Sequence, residues 1–82
     1  MPILLQKSFE AYNSYYGLYR AEWCRRTGLP MYSRKDWEII ERERLFTKSR
    51  AKREKVNIND NIVCAWYRMQ NGYTPLFRVR EE

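Results

Sequence analysis

Leu5, Phe9, Tyr12, Tyr16, Tyr19 and Trp23 recur at spacings of 4, 3, 4, 3 and 4. At about 100° per residue, that spacing puts them in one narrow stripe of an α-helix. It predicts a first helix over about residues 3–27 with a strongly aromatic face, starting near Pro2 or at Ser8 as N-cap. Gly28 and Pro30 end it, because glycine suits the left-handed residue after a helix and proline cannot continue one. Gly17, inside the span, disfavours the helix by about 1 kcal/mol relative to alanine. The same 4-3 spacing is a heptad, so a homo-oligomer through this stripe is a second outcome. Heptad seams favour Leu, Ile and Val over aromatic rings, which makes packing within one chain the preferred reading.

Ser33-Arg34-Lys35-Asp36 reads as a helix cap with an acidic residue three positions on. A second helix is therefore expected over about residues 34–54, carrying Trp37, Ile39, Ile40, Leu45 and Phe46. These do not share a stripe: Trp37 and Ile40 face one way, Ile39 and Phe46 nearly the other. After it come a short Val56-Asn57-Ile58 strand, a turn at Asn59-Asp60-Asn61, and a run of β-formers from Ile62 to Met69. Asn71-Gly72 signals a type I′ hairpin with Gln70 opposite Tyr73. That register puts Trp66 opposite Phe77 and Arg68 opposite Pro75 on a core-facing side, with Tyr67 opposite Leu76 on the other. Pro75 marks an edge strand. The expected fold class is α+β: two helices packed on a C-terminal antiparallel β-hairpin or three-stranded meander.

At 82 residues the chain has room for a single small basic domain, 1–82, with one modest core. The hydrophobic fraction of 44%, with three Trp, seven Tyr and three Phe, argues against disorder. Sixteen Lys and Arg against ten Asp and Glu leave a formal charge of +6, which favours polyanionic partners. Cys24 and Cys64 are too few for a disulfide framework and read as reduced thiols. Met1 to Lys7 has only a short apolar run, so neither a secretory signal nor a membrane contact is expected and the chain reads as soluble and cytoplasmic.

There is no histidine, and the three glycines are isolated. Imidazole catalysis, mixed His/Cys zinc sites and phosphate loops are thereby excluded, and no enzyme activity, cofactor or metal is expected. What remains is binding. Arg44, Lys48, Lys52 and Lys55 step by 4, 4 and 3 and would line one helix face, with Arg42, Arg50 and Arg53 on the opposite side. Cations along a helix can track phosphates without reading bases. On the sheet, Tyr67 and Tyr73 are candidates for stacking on bases, with Arg68, Arg78 and Arg80 for backbone contacts.

The leading expectation is a non-catalytic nucleic-acid binder, RNA ahead of DNA, acting as a small regulator or a ribonucleoprotein component. The rival is a protein-binding accessory subunit or inhibitor, of viral or mobile-element origin, docking on an acidic protein surface. Leu18-Tyr19-Arg20 resembles the tripeptide of the mitochondrial leucine-tyrosine-arginine motif family of small helical accessory factors. The resemblance covers three residues and implies the accessory reading. The order helix, turn, basic helix, hairpin is similar in outline to a winged helix-turn-helix, which implies a DNA-binding fold.

Overall fold

A computed structural model describes residues 3–5, 8 and 10–80. The architecture is mixed α and β, with eight strands and three short α-helices among the described residues. In chain order these are β1 (Ile3–Leu4), β2 (Tyr12–Asn13), β3 (Leu18–Tyr19), α1 (Ala21–Thr27), β4 (Met31–Tyr32) and a 3-10 turn (Arg34–Asp36). Then follow α2 (Trp37–Arg42), β5 (Leu45–Phe46), α3 (Lys48–Arg53), β6 (Ile62–Val63), β7 (Ala65–Met69) and β8 (Gly72–Arg78).

The main sheet runs β2-β3-β8-β7-β4, with β5 also paired to β8, while β1 and β6 form a separate two-stranded ladder. Strand β8 is its hub. β7 pairs antiparallel with it from Ala65↔Leu76 to Met69↔Gly72, β3 meets it at Tyr19↔Tyr73, and β5 meets it at Phe46↔Phe77 and Leu45↔Arg78. β4 joins β7 in parallel at Met31↔Trp66, and the Trp66 N–H donates to the Pro30 carbonyl at 2.9 Å.

Both faces of the sheet are covered. On one, Trp66 and Phe77 are buried with Tyr19, Val63 and the α1 residue Cys24. On the other, Ala65 and Leu76 are buried with Ile40 of α2 and Leu45. The buried indole of Trp66 donates from Nε1 to Thr27 Oγ1 at 3.0 Å, so its one polar group is satisfied.

The first expected helix, over 3–27, is not formed. The short strands β1, β2 and β3 and the turns between them lie there instead, and among the described residues of the span only Ala21–Thr27 is α-helical. Asn13 and Gly17 decide the matter locally. Asn13 Oδ1 accepts the Tyr15 N–H at 3.0 Å, the Gly17 N–H donates to the Asn13 carbonyl at 2.9 Å, and Gly17 takes φ 70°, closing a hairpin between β2 and β3. Tyr12 and Tyr19, seven residues apart, are thus cross-strand partners with ring centroids 5.0 Å apart. Seven residues is also two helical turns, so a hairpin of this loop length imitates helical periodicity. Leu5, Tyr12, Tyr19 and Trp23 do pack on one core, whereas Tyr16 is exposed and Phe9 lies outside the described residues. Leu18-Tyr19-Arg20 ends a strand and enters α1, which is not the helical setting that its family resemblance implies.

The second expected helix, 34–54, is broken into the 3-10 turn, α2, β5 and α3. The cap at its start is where the spacing puts it: Asp36 Oδ2 accepts the Ser33 N–H at 2.9 Å. Arg44 then takes φ 55°, ending the helical path, and Leu45-Phe46 pair with β8 instead. Ile40 and Phe46 consequently reach the interior from different elements, which resolves the two-faced pattern. These interruptions also remove the winged helix-turn-helix outline.

The C-terminal hairpin forms in a register two residues from the expected one, with Gln70-Asn71 as the loop. Asn71 has no positive φ, so no type I′ turn exists; only Gly72, at φ 156°, departs from the usual region. A shift of two preserves which face each side chain takes, so Trp66 and Phe77 still point to the core. Pro75 does not mark an edge. Leu76 offers its carbonyl to Cys64 on the β7 side, so the odd-numbered residues of β8 address the opposite edge. There Pro75 falls between the pairings at Tyr73 and Phe77, where no N–H is needed. Of the expected 56–58 strand only Ile58 bridges, to Val79.

Candidate functional site

The expected binding residues concentrate between α2 and the end of α3. Helix α3 starts at Thr47, whose Oγ1 accepts the Arg50 N–H at 3.1 Å. It ends in a Schellman closure, with Val56 N–H to Ala51 O at 2.9 Å and Lys55 N–H to Lys52 O at 3.3 Å. Lys55 takes φ 56° there, and Arg44 takes φ 55° at the corresponding position after α2, where its N–H donates to Glu41 O at 3.1 Å. Glycine usually fills this position. A side chain in the left-handed region costs roughly 1–2 kcal/mol, offset in part by about 0.3–1 kcal/mol from a cation at a helix C-terminus.

The single face expected from Arg44, Lys48, Lys52 and Lys55 is not continuous. α3 is six residues long, about 9 Å, and holds only Lys48 and Lys52; Lys55 lies past its end and Arg44 on a separate turn. Arg50 is drawn inward. Its side chain is 12% exposed, its guanidinium bonds Glu41 Oε1 at 2.6 Å and Glu54 Oε2 at 2.5 Å, and it stacks over Trp37 and Phe46 at 4.8 and 4.7 Å. It is a clamp between α2, β5 and α3 rather than a group presented to a ligand. Only Arg has the planar fork for both jobs. Arg50→Lys should therefore lower the melting temperature by roughly 4–8 °C, equivalent to about 1 kcal/mol in a domain this size, while Lys52→Ala leaves it unchanged. Thermal melts by circular dichroism compare the two.

That clamp also disposes of acid. Glu41 and Glu54 are occupied by Arg50, Glu43 lies 3.9 Å from the Arg78 guanidinium and accepts the Tyr32 hydroxyl at 3.2 Å, and Asp60 faces Lys48 at 3.8 Å. Burial and the Glu43 hydrogen bond push the Tyr32 hydroxyl pKa up. Among the described residues, Arg42, Arg44, Lys52, Arg53 and Lys55 are exposed with no carboxylate within 4 Å.

On the sheet, the two tyrosines expected as stacking residues are both partly buried. Tyr67 is half-buried against the Ile40 cluster, with Trp37 edge-on at 6.0 Å, and Tyr73 packs on the Trp66 cluster. Arg68 and Arg78 are exposed, Arg78 beside Glu43 and Arg68 on the β7 end of the hairpin. Among the described residues the most exposed aromatic is instead Tyr15, at 86%, its ring edge-on to Tyr16 at 4.9 Å on the β2–β3 turn. Sequence reasoning missed it by placing both tyrosines on a helix.

Cys24 is fully buried, and desolvation pushes its thiol pKa up to about 12; Tyr19 is raised to about 12 by the same cause. Neither ionises at neutral pH, so neither provides a nucleophile. Among the described residues no three His, Cys, Asp or Glu side chains gather to hold a metal ion, and no helix is long and apolar enough to cross a membrane. No family model matches the chain, and no curated protein and no solved structure matches it.

Proposed function

We propose that the chain is a non-catalytic nucleic-acid-binding module, RNA ahead of DNA, that contacts the phosphate backbone through Arg42, Arg44, Lys52, Arg53 and Lys55. The observation that carries this reading is the pairing of acids around these cations: Arg50, Arg78 and Lys48 engage Glu41, Glu54, Glu43 and Asp60, which leaves a net basic surface facing solvent. The left-handed backbone at Arg44 and Lys55 supports it, since strain at an exposed cation is accounted for when the cation has a task. A helix of about 9 Å is too short to lie along a major groove and read bases, which favours shape and backbone recognition of folded RNA.

Five phosphate contacts correspond to a log-log salt slope of roughly −3.5 to −4.5. Titrations of labelled single-stranded RNA, duplex RNA and duplex DNA at several salt concentrations should show that slope. Lys52→Glu with Lys55→Glu should weaken all three ligands and flatten it, because phosphate contacts carry no base information. Lys55→Gly is the sharper variant: binding falls while the melting temperature holds or rises. Absence of binding at low salt, or equal binding by the charge-reversed protein, would remove this reading. The accessory-protein reading, with the same cations docked on an acidic partner, would then stand.

A further inference from the structure

Arg25, one turn along α1 from Ala21, and Arg68, on β7, line the same groove of about 410 Å³, together with Tyr73 and the Gln70-Asn71 loop of the β7–β8 hairpin. Ala21 lines it on the helix side and Gly72 on the strand side. Among the described residues no acidic side chain lines it, and neither arginine has a carboxylate within 4 Å.

The other grooves lined by two arginines differ in this respect. The one holding Arg44 and Arg78 also holds Glu43, and the one holding Arg44 and Arg50 also holds Glu41 and Glu54. A third, with Arg78 and Arg80, is free of acids, yet its Arg78 is already beside Glu43. The hairpin groove alone among these combines two guanidinium groups, both without a carboxylate partner, with side-chain amide donors from Gln70 and Asn71. Arginine forks match phosphate oxygens two at a time, and a dianion answers two of them.

We propose that this groove binds a phosphate monoester, as a free mononucleotide or as the phosphorylated end of an oligonucleotide, through Arg25 and Arg68. The site shares no residue with the α2–α3 surface. Its success or failure is therefore read separately from that of backbone binding.

The full chain is titrated with inorganic phosphate, adenosine monophosphate and adenosine, following backbone amide shifts of residues 68–73 by NMR. Phosphate and the monophosphate should shift these amides and adenosine should not. Arg25→Gln and Arg68→Gln should each weaken monophosphate binding about tenfold, in line with loss of a charge-assisted contact. Both residues are exposed, so the melting temperature should stay unchanged. A second arm compares 5′-phosphorylated and 5′-hydroxyl RNA octamers in the Lys52→Glu, Lys55→Glu protein, where backbone binding is suppressed. About tenfold preference for the phosphorylated end assigns the groove to oligonucleotide termini; monophosphate binding without that preference assigns it to free nucleotides. Identical responses to adenosine and its monophosphate, or full binding by the Arg25→Gln, Arg68→Gln protein, would overturn the proposal.

Discussion

Trp66→Ala should cost about 3–5 kcal/mol and leave the chain largely unfolded at room temperature. Trp66 is 0% exposed, touches the Tyr19 ring at 5.1 Å between centroids, and pairs through its backbone with both β4 and β8. At about 0.05–0.15 kcal/mol per residue, a chain this short holds little stability in reserve. Trp66→Phe fills most of the volume but leaves Thr27 Oγ1 without its indole donor, and should cost less, about 1–2 kcal/mol. Urea unfolding followed by circular dichroism ranks the three proteins, and a near-native midpoint for the alanine variant would contradict the described core.

Gly72→Ala is expected to destabilise by roughly 2–4 kcal/mol, from a single added methyl group. A Cβ there would stand 2.8 Å from the Tyr19 carbonyl oxygen and 2.9 Å from Leu18 Cβ, neither of which can swing aside, on a backbone at φ 156°. Gly28 is the control. Its φ of 74° is also left-handed, but nothing lies within 4 Å of a Cβ, so Gly28→Ala carries only the conformational penalty of about 1 kcal/mol. Equal losses for the two variants would mean that β3 does not cross this close to β8.

The contrast between these glycines shows what was legible from residues alone. Asn71-Gly72 points to a hairpin between β7 and β8, but its type I′ turn does not form: the loop is Gln70-Asn71, in a register set with the approach of β3, which lies some fifty residues earlier in the chain. The faces of Trp66 and Phe77 could be read because alternation survives a two-residue shift. In Tyr12 and Tyr19, by contrast, a separation of seven serves a hairpin as well as a helix, and the turn chemistry of Asn13 and Gly17 outweighs periodicity. At the candidate site, exposure of Lys52, Arg53 and Lys55 follows from a basic, apolar-poor run. The inward position of Arg50 does not, since its partners Glu41, Trp37 and Phe46 are brought together by the kink at Arg44. Arg25 had no sequence signal at all, as its groove is made by contact between α1 and a hairpin tip more than forty residues away.

The position of β8 at the middle of the sheet sets an order on folding during synthesis. β3, β5 and β7 all require residues 72–78 as their partner. A nascent chain that has reached α3 can therefore close the local β2–β3 hairpin, but the second edge of β3 and the Leu45-Phe46 segment cannot yet pair. Pairings of such long sequence separation place the chain among slow folders. For as long as β8 is unmade, the edges of β3 and β5 are open to other chains, so yield in a cell should depend on translation speed across the last two strands and on holdase chaperones more than on the final stability.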